Sequence, residues 1–117
     1  MRPSITTGRL AGLALLACGA LSAAAPAWAQ EPANFTLAIK EHHFEPAELA
    51  VPAGIRFTVT VKNLNAAAAE FESSELNREK VVVGGASITV YLGPLTPGSY
   101  EFFNDFDPAA RGHIVVK

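Results

Sequence analysis

The sequence predicts an all-β domain, either an antiparallel sandwich or a barrel, and three observations lead to this prediction. Apolar residues recur at every second position through most of the chain, the pattern of half-buried strands. Turn-forming residues separate these runs at intervals of about ten residues. No long segment has a 3.6-residue period, and the best helical candidate, the four alanines at 66–69, allows one turn at most.

The candidate strands follow one another with turn chemistry between them. Residues 55–62 alternate most regularly, with apolar Ile55 and Phe57 against polar Arg56 and Thr58. Glycine and proline pairs between the runs supply the backbone angles that tight turns require. The alternating stretches are residues 35–40, 55–62, 87–92, 100–103 and 114–116, and a short apolar run at 81–83 adds a further candidate.

The first 29 residues have the pattern of a cleaved secretory signal. Two arginines precede an apolar stretch at 10–25, and Ala27-Trp28-Ala29 is a small-x-small cleavage site. The apolar stretch is short for a membrane-spanning helix and ends at a proline. We therefore expect residues 1–29 to be removed and residues 30–117 to form one periplasmic domain.

Charge and cysteine content narrow the function further. Removal of the leader leaves seven basic against eleven acidic residues, a surface that does not favour nucleic acid or anionic lipid. It also removes Cys18, the only cysteine, and with it any disulfide, thiol nucleophile or thiolate ligand. The alternative is a lipid anchor at Cys18, because Leu15-Leu16-Ala17 before it resembles a lipoprotein acylation box.

An enzyme is not predicted. The pair Ser73-Ser74 lacks the G-x-S-x-G elbow of a serine hydrolase, and no histidine lies at a suitable position beside it. Neither a phosphate-binding loop nor a dinucleotide-binding glycine pattern occurs. Without these catalytic motifs, the sequence favours a binding function.

Two stretches of the chain resemble the two halves of a cupredoxin domain, and together they cover most of residues 35–117. The first contains Phe44-x-Pro46, Val51-Pro52-Ala53-Gly54 and Val59-x-Val61-x-Asn63, and the second contains Leu95-x-Pro97-Gly98-x-Tyr100-x-Phe102, Asp107-Pro108 and Gly112-x-Ile114-x-Val116. The resemblance implies a single Greek-key β-sandwich of cupredoxin type with about seven or eight strands. Between the halves, Glu70-Phe71-Glu72, Glu79-x-Val81 and Gly84-Gly85 resemble the cupredoxin-like domains of bacterial periplasmic iron uptake, the EfeO type.

The chain departs from the blue-copper members of that family at the ligand positions. Those proteins use Cys-x-x-His-Pro-x-Met and an earlier histidine, whereas alignment here gives Asn104, Asp107, Ala110 and, for the early histidine, Glu70 or a neighbour. A type 1 copper site needs a thiolate sulfur, so the resemblance does not imply a blue-copper electron carrier. The iron-uptake relatives often carry cysteines in two regions where this chain has Phe44 and Asn104, so their thiol site is also absent from it.

Acidic residues stand in these regions instead. Carboxylates clustered at one end of a sandwich repel one another unless a cation neutralises them, and such oxygen donors favour iron, manganese, calcium or magnesium over Cu(I). One imidazole, from His42 or His43, would complete a ligand set suited to iron. Because neighbouring residues of a strand face opposite sides, only one of these two histidines can contribute. The alanine run leaves open whether Glu70 or Glu72 points inward. The candidate ligands are Glu70, Glu72, Asp105, Asp107, His42 and His43.

The predicted function is therefore an exported periplasmic accessory protein that binds iron (or copper) for uptake beside a ferrous-iron permease. The alternative is a metal-free interaction module that kept the sandwich and lost the site. In that case Asp107 only initiates a turn before Pro108, and Arg111 neutralises an acidic residue of the loop. An exposed rim of Phe103 and Phe106 would then indicate a protein partner.

Overall fold

The computed structural model describes residues 3–4, 19 and 32–117, and the described residues form nine β-strands. None of them belongs to a helix with the length and apolarity needed to span a membrane. The predicted cleavage site and Cys18 lie outside the described residues, as does most of the predicted leader. The strands are β1 (Ala33–Lys40), β2 (His43–Glu45), β3 (Glu48–Val51), β4 (Phe57–Asn63), β5 (Ala69–Ser73), β6 (Arg78–Val82), β7 (Ser87–Leu92), β8 (Gly98–Asn104) and β9 (Asp107–Val116).

The strands form two sheets, in the orders β2-β1-β4-β7 and β3-β9-β8-β5-β6, and the predicted β-sandwich is confirmed. The expectation of purely antiparallel pairing is wrong, because β1 runs parallel to β4 and β3 runs parallel to β9. Alternation reports which face of a strand is buried and carries no information about the direction of its neighbour. The count of nine exceeds the expected seven or eight because residues 43–51 are divided into an edge strand of each sheet.

The hydrophobic core fills the space between the two sheets. Three aromatic rings form its largest group: Phe102 meets Phe44 edge-on at 4.8 Å between centroids and stacks on Phe71 at 5.5 Å. All three are buried, together with the inward-facing residues Leu37, Ile39, Val59, Val61, Val82, Val90 and Ile114. The alternating stretches of the sequence therefore supply the core as predicted.

The alanine segment, the best helical candidate of the sequence, does not form a helical turn. The chain bends at residues 65–67, residues 66–68 are exposed, and Ala69 is buried as the first residue of β5. The cause is the buried side chain of Asn63, whose amide donates to the carbonyl oxygens of Ala67 at 2.8 Å and Val82 at 3.1 Å. These two hydrogen bonds, one local and one to a distant strand, override the helix propensity of alanine.

Candidate metal centre

Three glutamates meet on the outer face of the five-stranded sheet. On β5, Phe71 points into the core, so Glu70 and Glu72 on either side of it face outward together. Glu72 lies directly opposite Glu79 of β6 in the antiparallel pairing. One carboxylate oxygen from each of these three residues lies within 4.8 Å of the others. We call this group the acid cluster.

Glu70 is the unusual member of the acid cluster because it is buried. Only 8% of the residue is exposed, and its Oε1 atom is buried without a hydrogen-bond partner among the described residues. Its backbone is held firmly: the amide donates to Asn104 Oδ1 at 2.9 Å, and the carbonyl accepts from the Asp105 amide at 3.0 Å. A buried carboxylate oxygen without a partner is unfavourable, and a proton or a cation at this site would relieve that cost.

The neighbouring acids change the titration of this site. A proton shared with the nearby Glu79 carboxylate, followed by burial and the negative charges of Glu79, Asp105 and Glu72, raises the pKa of Glu70 to about 7. Burial, with the charges of Asp105 and Glu79, also raises the pKa of Glu72 above its ordinary value. Near neutral pH, the acid cluster therefore exchanges a proton readily, and a bound cation would displace that proton.

Among the residues that the structure describes, no salt bridge joins a positive side chain to the acid cluster. The ion pairs among the described residues involve the three histidines and Arg111, and none of them includes a member of the cluster. Arg111 instead lies 2.6 Å from Glu101 through Nη1 and Oε1, and its guanidinium stacks over Phe103 at 5.0 Å. The suggestion that Arg111 neutralises a loop acid is wrong, because β9 places this arginine beside β8.

The other predicted ligands lie apart from the acid cluster, except for Asp105. Asp105 occupies the turn between β8 and β9, near enough for its charge to act on Glu70 and Glu72. Asp107 begins β9 and contacts His42 of the β1–β2 turn, with 2.6 Å between Oδ2 and Nδ1. His43 lies on β2, where its Nε2 atom is 3.0 Å from Glu45 Oε1. The six candidates thus divide between the acid cluster region and two separate histidine–carboxylate pairs.

Glu79 is the residue that the ligand prediction missed. The sequence predicted a strand that begins only at Val81. It therefore gave no register from which Glu79 could be paired with a residue of β5. The turn sequence Ser74-Glu75-Leu76-Asn77 could have indicated this pairing. It is a four-residue connection between the two strands, and Asn77 adopts the left-handed conformation at φ 53°. A hairpin with this connection pairs Ser73 with Arg78, and Glu72 then faces Glu79.

Replacing Asp107 by asparagine should lower the pKa of His42. The hydrogen bond and the charge of Asp107 raise that pKa in the wild type. The pair therefore adds its full stability below the unfolded histidine value of 6.5, and loses it as pH rises through the higher folded value. The His42 side chain is 84% exposed, so we expect a small effect on stability. An NMR titration of the His42 and His43 imidazoles would measure the change in pKa, with His43 as the internal control. A His42 midpoint that is the same in the variant and the wild type would contradict the contact with Asp107.

The acid cluster has the geometry of a site for a hard cation. Oxygen donors lie about 2.0–2.6 Å from such ions, so two donors on opposite sides are separated by about 4–5 Å. The observed limit of 4.8 Å between the three oxygens is compatible with one shared ion. Three carboxylates leave further positions open on a six-coordinate metal, which suits exchange of the ion with a donor or an acceptor.

Comparison with known proteins identifies the family to which this fold belongs. Residues 11–116 match the family model of the cupredoxin-like domain, and the chain belongs to this family. An uncharacterized protein of Rickettsia prowazekii (strain Madrid E) is 41% identical over 81 residues, which are 68% of this chain. The match spans 65% of the length of that relative.

Solved structures with the same fold include several copper proteins. The metal-binding domain of the Cu(I)-exporting P-type ATPase of Streptococcus pneumoniae D39 has a TM-score of 0.63 at 15% identity, covering 72% of this chain and 84% of that domain. Auracyanin A of Chloroflexus aurantiacus, a blue copper protein, has a TM-score of 0.63 at 17% identity, with coverages of 74% and 100%. Amicyanin of Paracoccus versutus has a TM-score of 0.59 at 17% identity, with coverages of 78% and 88%. At these identities the likeness extends to the fold alone.

Proposed function

We propose that this chain is an exported, periplasmic metal-binding accessory protein of the EfeO type, which holds iron for uptake and hands it on. The single observation that supports this most is the buried, unpartnered Oε1 atom of Glu70 within the acid cluster. A cation at this position would satisfy the oxygen and offset the mutual repulsion of three carboxylates. The protein would act as a carrier and not as an enzyme.

The donor set favours iron over copper as the cargo. Three carboxylates are hard ligands, whereas Cu(I) prefers thiolate and thioether sulfur. The only cysteine of the sequence is Cys18, within the predicted leader, and the only methionine is Met1. We therefore do not expect a type 1 blue-copper site. Copper remains the second candidate cargo, since the similar structures from Streptococcus pneumoniae and Chloroflexus aurantiacus are described as copper proteins.

A ferrous-iron permease is the partner that this function implies. The acid cluster adjoins the β8–β9 turn, whose Phe106 is 55% exposed and whose Asp105 amide is bonded to the Glu70 carbonyl. An exposed aromatic ring beside an ion site offers a contact for a protein that receives the ion. Export through the predicted leader would place the chain on the same side of the membrane as the entrance of such a permease.

Titration with ferrous iron under anaerobic conditions tests the proposal. We expect one equivalent to bind to the wild type more tightly than about millimolar at neutral pH. Glu72→Gln should weaken binding strongly, because it removes a ligand at which charge and geometry both matter. Glu48→Gln is the matched control, since Glu48 is an exposed acid on the opposite edge strand of the same sheet. If neither iron nor copper binds to the wild type, or if both variants bind alike, the metal-carrier function is excluded.

A metal-free interaction module is the second candidate function, and exposed apolar residues favour it. Leu64, Val83 and Phe106 are all more than half exposed and lie in loops between strands. Hydrogen bonds from the Gly85 amide to the carbonyls of Asn63 and Asn65 hold two of these loops together. A Glu70→Ala variant separates the two functions: a module keeps its partner binding unchanged, whereas a carrier loses metal affinity.

A further inference from the structure

The backbone of Glu70 is held by a side chain that does not belong to the acid cluster. Asn104 is the last residue of β8 and is buried, with 4% of the residue exposed. Its Oδ1 atom accepts hydrogen bonds from two backbone amides, that of Glu70 at 2.9 Å and that of Phe106 at 3.1 Å. One atom therefore joins the strand that carries Glu70 to the turn between β8 and β9.

The Asn104 side chain takes the place of a backbone acceptor at the end of the β5–β8 ladder. The register pairs Phe71 with Asn104, so Glu70 lies opposite Asp105. A hydrogen-bonded pair of an antiparallel ladder exchanges two N–H···O bonds. The Asp105 amide does donate to the Glu70 carbonyl at 3.0 Å, but the Glu70 amide donates to Asn104 Oδ1 and not to the Asp105 carbonyl. The chain can therefore turn at Asp105 without releasing Glu70.

This arrangement matters for the acid cluster because it holds the β8–β9 turn against Glu70. The Oε1 atom of Glu70 is buried without a hydrogen-bond partner among the described residues, and Asp105 of the turn is near enough for its charge to act on Glu70 and Glu72. Without the Asn104 acceptor, only the Asp105 amide would bond the Glu70 backbone to this turn. The Glu70 carboxylate would then gain access to water, which would satisfy it in place of a cation.

We propose that Asn104 is a positioning residue for the iron site, which holds Glu70 and the β8–β9 turn in the arrangement that binds the metal. The inference rests on the proposed function of the acid cluster and adds to it a residue that does not itself bind the ion. Outer residues that orient metal ligands typically contribute about 10- to 100-fold to metal affinity. Asn104 acts through the backbone of Glu70, so the acceptor oxygen is the feature that the site needs.

Titration of three variants with ferrous iron under anaerobic conditions tests this inference. Asn104→Ala removes the acceptor and should weaken iron binding by about 10- to 100-fold. Asn104→Asp keeps an acceptor oxygen, and its negative charge favours a nearby cation, so it should bind iron no more than about threefold more weakly than the wild type. Val59→Ala is the control for a loss of stability alone, because Val59 is buried on β4 of the other sheet. It should bind iron as the wild type does.

Amide hydrogen exchange of the wild-type protein provides a test that does not depend on the folding of a variant. Ferrous iron should slow exchange at the amides of Glu70 and Phe106 by at least about threefold, because the metal and the arrangement held by Asn104 stabilise each other. The amide of His113, which donates to the Ala47 carbonyl at 2.8 Å, is the reference and should slow less. Exchange that iron leaves unchanged at both Glu70 and Phe106 overturns the inference.

The iron affinity of the wild type separates failure of this inference from failure of the proposed function. Equal affinities of the wild type and Asn104→Ala overturn the positioning role while the iron site stands. The role is also overturned if Asn104→Asp binds as weakly as Asn104→Ala, because the acceptor oxygen would then not be the feature that matters. An equal loss in Val59→Ala would mean that lowered stability is the cause. A folded wild type that binds no iron removes the iron site and the positioning role with it.

Discussion

Replacing Glu70 by glutamine is expected to abolish iron binding and, at the same time, to make the metal-free protein more resistant to heat at neutral pH. Loss of a direct ligand should cost more than the roughly 10- to 100-fold in affinity that loss of an outer partner costs. The gain in thermal stability arises because the glutamine is neutral and removes one of three mutually repelling carboxylates. An ordinary structural acid would not produce these opposite effects.

The pH dependence of this gain follows from the pKa of Glu70, which is raised from 4.5 to about 7. Between these values the folded protein binds more protons than the unfolded chain, so the free energy of unfolding falls as pH rises. The favourable contribution is complete below pH 4.5 and is lost as pH passes through about 7. Melting temperatures of Glu70→Gln and wild type should therefore agree at pH 4 and separate at pH 8.

Thermal unfolding at both pH values, with Glu48→Gln as the control, checks this prediction. The control residue is exposed on β3 and should leave both iron binding and the pH profile of the wild type unchanged. A Glu70→Gln protein that melts below the wild type at pH 8 would contradict the account of the acid cluster. So would a variant that still binds iron with wild-type affinity.

Truncating Phe102 to alanine should have the largest effect on stability, about 3–5 kcal/mol in the free energy of unfolding. The ring is fully buried, contacts Phe44 and Phe71, and packs directly on Gly112, where an added Cβ would lie 2.5 Å from its Cζ atom. The substitution removes the central ring of the aromatic group between the sheets and leaves a cavity in its place. Since small domains are stable by only about 5–15 kcal/mol, the loss is a large share of the total.

The adjacent residue provides the control for this substitution. Phe103 faces the other side of the sheet, is partly exposed and contacts the Arg111 guanidinium. Its replacement by alanine should cost about 1 kcal/mol, mostly from the cation–π contact and the apolar area of the ring. Urea unfolding of both variants measures the difference. Similar costs at the two positions would mean that β8 does not place Phe102 in the core.

The fold was predictable because alternation of apolar and polar residues decides which face of each strand is buried. Phe57, Val59 and Val61 are inward-facing, as their spacing predicts. The direction of pairing was not predictable, because it depends on the crossing of the chain to the other sheet between β2 and β3 and its return before β4. The bend at residues 65–67 was not predicted either, since the buried amide of Asn63 fixes it while also bonding to the carbonyl of Val82, which is far along the chain.

The candidate site was predictable only in part. Glu70 and Glu72 carry a visible signal, because they flank an aromatic residue of a strand and therefore share a face. Glu79 enters only through the pairing of β5 with β6, which the intervening turn determines. Burial of Glu70 depends on the packing of the β8–β9 turn against β5, and no local pattern reports it. The same limit explains why Asp107 was grouped with these acids although it contacts His42.

Anomalous scattering from crystals soaked with ferrous iron tests the central claim most directly. The account predicts one strong iron peak within bonding distance of carboxylate oxygens of Glu70, Glu72 and Glu79. A strongest peak beside the imidazole of His42 and the carboxylate of Asp107, or no iron peak at the three glutamates, would contradict it.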